Sequence, residues 1–297
     1  DDILIVAPLN KVTNTAIDIA YEHDRITFKE IPSFDITTFK NLVKTVFVLP
    51  KLLFTIYKAM KRADHIHLRC PGNMGLLGCI VQVFFPEKPK TAKYAGNWDP
   101  KAPQPLSYKL QRWILSNTFL TRNMQVLVYG EWENQSKNIK SFFTATYTEN
   151  DKKPVCKNDV DTTIRLLFVG ALSRGKRPLY AVQLAEMLFN RGYEVQLKLY
   201  GEGIERNILE HYIENQQLHS IVKLMGNRGK EELQEAYAEN HFLILPSRSE
   251  GWPKVVAEAM FWGCIPVSSP VSCVPNMLGN GTRGLLLEMN LGTHVKM

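Results

Sequence analysis

Residues 242–266 read FLILPSRSEGWPKVVAEAMFWGCIP. The first four, Phe242, Leu243, Ile244 and Leu245, form a short unbroken apolar run, the pattern of a strand buried on both faces of a parallel sheet. Residues 246–251 follow as a polar loop. Pro253 suits a first helical position, where its missing N–H would have no intrahelical partner. Val255, Val256, Ala259, Met260 and Phe261 recur at helical spacing. Gly263 stops that helix, and Cys264 to Val267 begin another strand. A strand, a loop and a helix N-terminus predict an anion site. The amides near Lys254, Val255 and Val256 lack intrahelical partners there and have the helix dipole behind them. Glu250 and Glu258 frame this site with seven residues between them. An acid beside an anion is unfavourable unless it has a task, such as accepting hydrogen bonds from sugar hydroxyls.

Upstream, strands and helices alternate between residues 165 and 287, the rhythm of a parallel, doubly wound α/β domain. Its ligand crevice belongs at the carboxyl ends of the strands. Gly170, Gly201, Gly226 and Ser247 all fall at predicted strand ends, so the candidate residues converge on one edge. Gly170, Gly175 and Lys176 nearly complete a phosphate-binding G-x-x-x-x-G-K-[ST], but Arg177 stands where a Mg²⁺-binding hydroxyl is needed. Gly201-Glu202-Gly203 lacks the third glycine of a dinucleotide fingerprint.

The first half is organised differently. Residues 1–160 hold 22 Lys+Arg against 15 Asp+Glu, whereas residues 161–297 hold 14 of each. The excess positive charge suits a nucleic acid, an anionic membrane surface or a phosphorylated substrate. Residues 3–7 read as a buried strand, and residues 13–22 as a short helix. Residues 42–62 predict a helix kinked or broken at Pro50, either packed on a core or lying on a membrane through its lysines. Gly72, Gly75 and Gly78 are read as tight packing at the start of the next helix. His67, at a strand end, and Asn97, Trp98 and Asp99, in a later loop, are candidates for a binding site; a lone His is more often structural, and the loop reads equally as an ordinary turn. Residues 148–161 are polar and aperiodic, and place a domain boundary between 153 and 154.

Composition limits the classes available. At 297 residues with 45% hydrophobic and 22% charged content, the chain suits two globular domains. It has no apolar run of transmembrane length and no visible signal peptide. Five cysteines (Cys70, Cys79, Cys156, Cys264, Cys273) show neither metal spacing nor an even disulfide set, which favours a reducing cytoplasm. The sequons at Asn134 and Asn280 are read as chance.

The opening stretch resembles the signature of retaining glycosyltransferases of the GT-B fold, glycosyltransferase family 4 in particular, SxxEGxxxxxxEAMAxGxPVV. Ser247, Glu250, Gly251, Glu258, Ala259, Met260, Gly263 and Val267 match it, with Pro266 one residue after the pattern's proline. Residues 169–177 are similar to the family's VGRLxxxKG, with Lys176 in the lysine position and Ala171 where the family has arginine. Arg174 or Arg177 is then the source of a second positive charge. The resemblance covers residues 165–289 well and 1–150 in outline. It implies two Rossmann-like doubly wound parallel-sheet domains facing a cleft. Residues 1–153 would be the acceptor-side domain and 154–297 the nucleotide-sugar domain, expected to be truncated at its C-terminus.

The implied activity is retaining transfer of a hexose from a nucleotide diphosphate sugar to an acceptor hydroxyl, in cell-envelope polysaccharide or glycolipid synthesis. Lys176 would neutralise the diphosphate, Glu250 would bind the donor sugar and Glu258 the ribose. Gly170, Arg174, Gly201, Gly226, Asn227, Ser247, Gly251, Lys254 and Val255 would complete the donor site. No cofactor or metal is required. The expected partners are the nucleotide sugar, a saccharide or lipid-linked acceptor, and an anionic membrane at the inner face of which the protein would lie. Nucleic acid is not among them. A nucleotide-sugar epimerase, or a non-catalytic protein binding nucleotide sugars or polyanions, is the alternative.

Overall fold

The computed structural model describes residues 1–9, 21–32, 39–154 and 162–288, with the backbone alone for 39–46. The chain divides into two compact units, Asp1–Phe142 and Phe143–Met297.

In the first unit, β1 (Ile3–Ala7) and β2 (Ile26–Glu30) pair in parallel as a sheet of their own. Then follow α1 (Phe39–Arg62), β3 (Ile66–Cys70), α2 (Asn73–Val81), β4 (Lys90–Tyr94), α3 (Leu106–Ser116), β5 (Met124–Tyr129) and β6 (Ile139–Phe142). Strands β3 to β6 form a parallel sheet in sequence order. Their register builds one buried face, with Leu68, Ala92 and Val126 aligned in one row and Cys70, Tyr94 and Val128 in the next. Leu52, Ile56 and Met60 of α1, Leu77 of α2, and Ile114 and Leu115 of α3 share that core. Helix α2 lies between α1 and α3 and touches both.

Three expectations for this unit change. Pro50 does not break α1, which runs through it from Phe39 to Arg62. A proline removes one helical hydrogen bond, and the buried residues Leu52, Ile56 and Met60 keep the turns after it on the core. Strand β1 is not buried, since Ile3 and Leu4 are exposed and β2 is its one strand partner among the described residues. Strand β2 has no counterpart in the sequence reading. The expected helix at 13–22 lies almost wholly outside the described residues, as does Cys156. The tight-packing reading fits two of the three glycines: a Cβ at Gly75 would lie 2.7 Å from the Arg69 carbonyl oxygen and one at Gly78 2.8 Å from Leu68 Cδ2, whereas one at Gly72 would meet nothing within 4 Å.

The second unit contains β7 (Ile164–Val169), α4 (Pro178–Asn190), β8 (Val195–Tyr200), α5 (Arg206–Asn215), β9 (Val222–Gly226), α6 (Lys230–Glu239) and β10 (Phe242–Leu245). It continues with α7 (Lys254–Phe261), β11 (Ile265–Ser268), α8 (Val274–Met277) and β12 (Leu285–Leu286). All its strand pairs are parallel, and the strand order is β12-β11-β10-β7-β8-β9. The chain starts in the middle, winds one way to β9, returns beside β7 with β10, and winds the other way. This is the doubly wound order expected. Leu243, Ile244 and Leu245 of β10 are buried, as a central strand covered on both faces requires.

The division falls at 142/143 rather than at the expected 153/154. The cause is aromatic packing: Phe143 lies against Trp252 with ring centroids 6.3 Å apart, and Tyr147 stacks on Phe261 at 5.3 Å. Cys70, Cys79, Cys264 and Cys273 are buried, and none of them is in a disulfide among the described residues. Among the described residues no helix is long and apolar enough to cross a membrane.

Candidate active site

Strand order reverses between β7 and β10, so their carboxyl ends open the crevice where a doubly wound sheet binds ligands. The loop after β7 carries Gly170, Arg174, Gly175 and Lys176, and the loop after β10 carries Ser247, Glu250 and Gly251. The two loops are joined by a backbone hydrogen bond from Arg248 N to Gly175 O at 2.8 Å. They are joined again by Lys176 Nζ, which donates to Glu250 Oε1 at 2.6 Å. The Glu250 side chain is 7% exposed and that of Lys176 28%. A carboxylate this buried needs a cation and a hydrogen bond, and Lys176 gives both. Gly251 is held from behind, its carbonyl accepting from Ser272 Oγ at 3.3 Å and Cys273 Sγ at 3.2 Å.

The glycines serve the backbone. Gly170 N donates to Tyr200 O at 2.9 Å, Leu172 N to Glu202 O at 2.9 Å, and Gly201 N to Gly226 O at 2.9 Å. These bonds zip the loops after β7, β8 and β9 together. A Cβ at Gly201 would stand 2.0 Å from the Gly170 carbonyl oxygen, and φ there is +136°, so only glycine fits. Asn227 follows β9 and is exposed.

Helix α7 starts one residue later than the sequence implied. Pro253 is its N-cap rather than its first helical residue, and no side chain caps it. Val256 N already donates to Pro253 O at 3.0 Å, so the expected set of free amides narrows to Lys254 and Val255. Glu258 sits one turn on. Its Oε1 accepts from Thr146 Oγ1 at 2.6 Å and its Oε2 from Tyr237 OH at 2.9 Å. Burial first, and then the Glu258 charge, push the Tyr237 phenol far above its usual range, so it stays a donor. Thr146 and Tyr237 were not among the residues picked from the sequence. Thr146 falls just before the polar stretch 148–161, and Tyr237 looks like any buried aromatic of an amphipathic helix.

Several expected site residues are placed elsewhere. The Ser247 side chain is fully buried, and its Oγ has no hydrogen-bond partner among the described residues. Trp98 does not present its ring for stacking. It is 1% exposed, lies edge-on to Tyr94 at 4.8 Å and donates Nε1 to Gln135 Oε1 at 2.8 Å. Asn97 and Asp99 form consecutive side-chain turns, Asn97 Oδ1 accepting from Asp99 N at 2.9 Å and Asp99 Oδ1 from Lys101 N at 2.8 Å. The loop is therefore an ordered turn around a core tryptophan. His67 is exposed on β3, and its Nδ1 lies 2.8 Å from Thr91 Oγ1. Desolvation first, and then the charges of His65, Lys93 and Arg69, lower its pKa. Arg174 and Lys254 are exposed and Val255 half-buried. Among the described residues no group of three or more His, Cys, Asp or Glu could hold a metal.

Residues 149–293 match the family model described as glycosyl transferases group 1. The match falls within the second unit. The chain is 28% identical over 122 residues to alpha-D-kanosaminyltransferase of Streptomyces kanamyceticus, covering 41% of this chain and 32% of that protein. It is 29% identical over 129 residues to the amylovoran biosynthesis glycosyltransferase AmsK of Erwinia amylovora, again 41% and 32%. The matched part thus spans about a third of the length of these relatives. Among solved structures, HepE of Anabaena in complex with UDP superposes with a TM-score of 0.62 at 15% identity, covering 89% of this chain and 78% of that one. At that identity the likeness is one of fold.

Proposed function

We propose that this group 1 glycosyl transferase moves a hexose, with retention, from a nucleotide diphosphate sugar to a hydroxyl of a saccharide or lipid-linked acceptor, in cell-envelope polysaccharide or glycolipid synthesis. One observation carries the reading: the Lys176–Glu250 pair spans the switch point of the sheet, beside the uncapped start of α7. The chemistry requires a departing diphosphate and a sugar that becomes positively charged as the bond to it breaks. Lys176 and the amides of Lys254 and Val255 stabilise the departing charge. Lys176 is neutralised by Glu250. A bound diphosphate takes Glu250's place on Lys176 and frees Glu250 to accept from the donor sugar's hydroxyls. Glu258 accepts from the ribose. These protein groups do the neutralising in this scheme, which therefore needs no metal. That HepE binds UDP on a similar fold, and that relatives are a kanosaminyltransferase and a glycosyltransferase of amylovoran biosynthesis, supports the reading.

The test is release of nucleoside diphosphate from UDP-, GDP- and ADP-hexoses, with and without cell-envelope lipid extracts as acceptor. Release that depends on the acceptor supports transfer. Nucleotide binding without turnover of any donor favours the non-catalytic alternative.

The reading extends to where the protein works, at the cytoplasmic face of an anionic membrane. Helices α1, α2 and α3 contain no Asp or Glu. Large apolar side chains nevertheless stand exposed on and beside them: Phe54, Tyr57, Phe84, Leu110, Trp113 and Phe119. Lys58 lies over the Phe54 ring and Arg122 over that of Phe119. Cations interleaved with aromatics suit an anionic interface.

A further inference from the structure

The Glu258 carboxylate is held at both oxygens by the protein itself. Thr146 Oγ1 donates to Oε1 at 2.6 Å and Tyr237 OH to Oε2 at 2.9 Å. An ionised carboxylate offers about four acceptor directions, two on each oxygen. One on each is taken, and one on each is left. A ribose carries two neighbouring hydroxyls, which is the complement of that remainder.

Neither donor is there by accident of a flexible side chain. Tyr237 is fully buried. Thr146 lies on a strap that is pinned on both sides of it. Before it, Trp252 Nε1 donates to Thr144 O at 2.7 Å. After it, Tyr147 stacks on Phe261 at 5.3 Å and meets Trp262 edge-on at 5.1 Å. The Lys230 ammonium covers the Tyr147 ring at 4.9 Å. Glu258, Phe261 and Trp262 are spaced i, i+3 and i+4, so they share one helix face. The strap runs along that face, and its hydroxyl meets the carboxylate.

We propose that Thr146 and Tyr237 are positioning residues for nucleotide recognition: they fix the rotamer of Glu258 and leave one acceptor direction on each oxygen for a ribose diol. This rests on Glu258 being the ribose acceptor. The ribose site is then incomplete without a residue from outside the matched family segment, since Thr146 precedes residue 149.

The test is calorimetric titration of the full chain with UDP, GDP and ADP, each against its 2′-deoxy form. For whichever nucleotide binds, the ribo form should be preferred by roughly tenfold or more, the worth of a hydrogen bond to a charged group. Glu258→Gln should bring that ratio towards one. Thr146→Val and Tyr237→Phe should lower it several-fold while affinity for the 2′-deoxy form holds, and Thr146→Ser should restore it. A merely structural role would lower melting temperature and leave the ratio alone. If Glu258→Gln collapses the ratio but Thr146→Val and Tyr237→Phe do not, the positioning role is overturned and the ribose reading stands. If Glu258→Gln leaves the ratio unchanged, or none of the nucleotides binds, the ribose reading falls and the proposal with it.

Discussion

Lys176 Nζ lies 2.6 Å from Glu250 Oε1, and the two side chains reach each other from loops that follow neighbouring strands of opposite winding. The pair is the point at which sequence motif, sheet topology and electrostatics coincide. A buried acid and a half-buried base neutralise each other at the edge where a doubly wound sheet binds ligands.

Removing one partner strands the other. Lys176→Met leaves the buried Glu250 carboxylate without its only hydrogen-bonded cation among the described residues. Stability should fall by about 1–3 kcal/mol, read from urea midpoints. Lys176→Met combined with Glu250→Gln should regain part of that loss, because no unpaired charge remains. An additive double variant would mean that the two groups do not interact.

Backbone proximity gives a second expectation. Gly201→Ala puts a methyl 2.0 Å from the Gly170 carbonyl oxygen at a positive φ. The loops after β7 and β8 must part, at about 1–3 kcal/mol. Melting should drop, and nucleotide affinity should drop with it. Unchanged melting would show that the loops are not zipped as described.

How much of this was legible in the sequence varies with the kind of signal. The run at 242–245 and the helix at 254–261 are local patterns; the strand is found where the apolar run put it and the helix one residue later than Pro253 implied. Gly201 was legible as a strand-end glycine but not as a backbone contact, because its neighbour Gly170 is remote in sequence. Trp98 could be read either way, since nothing local tells a stacking platform from a core residue; its partners, Tyr94 and Gln135, come from the fold. Thr146 was invisible for the same reason. Its one important bond is to Glu258, 112 residues away.

Alkaline pH should reveal Lys90. It is 2% exposed, its Nζ donates to Phe85 O at 2.9 Å, and burial lowers its pKa to about 8. The folded value lies below the unfolded one, so the folded state sheds the proton first. Stability should rise as pH climbs from about 8 towards the ordinary lysine range near 10.4. Above about 10 the buried phenols of Tyr94 and Tyr237, whose pKa values burial raises, should reverse the trend. Lys90→Met should flatten the rise in urea melts taken between these pH values. A rise of the same slope in the variant would assign it to another group.

The membrane face can be addressed with one side chain. Trp113 is 60% exposed on α3, next to Lys109 and Arg112. Trp113→Ser should reduce co-sedimentation with phosphatidylglycerol vesicles several-fold and leave the fold intact. Equal binding of wild type and variant, or equal binding to neutral phosphatidylcholine vesicles, would remove this face from the account.

The central claim is that the acid at 250 works on the donor sugar. Its most direct test is acceptor-dependent nucleoside diphosphate release by wild type and Glu250→Gln, with donor affinity measured alongside. The amide keeps the side chain's shape and removes its charge. Release should fall roughly a hundredfold or more while donor affinity changes little. A variant that turns over like wild type would contradict the account.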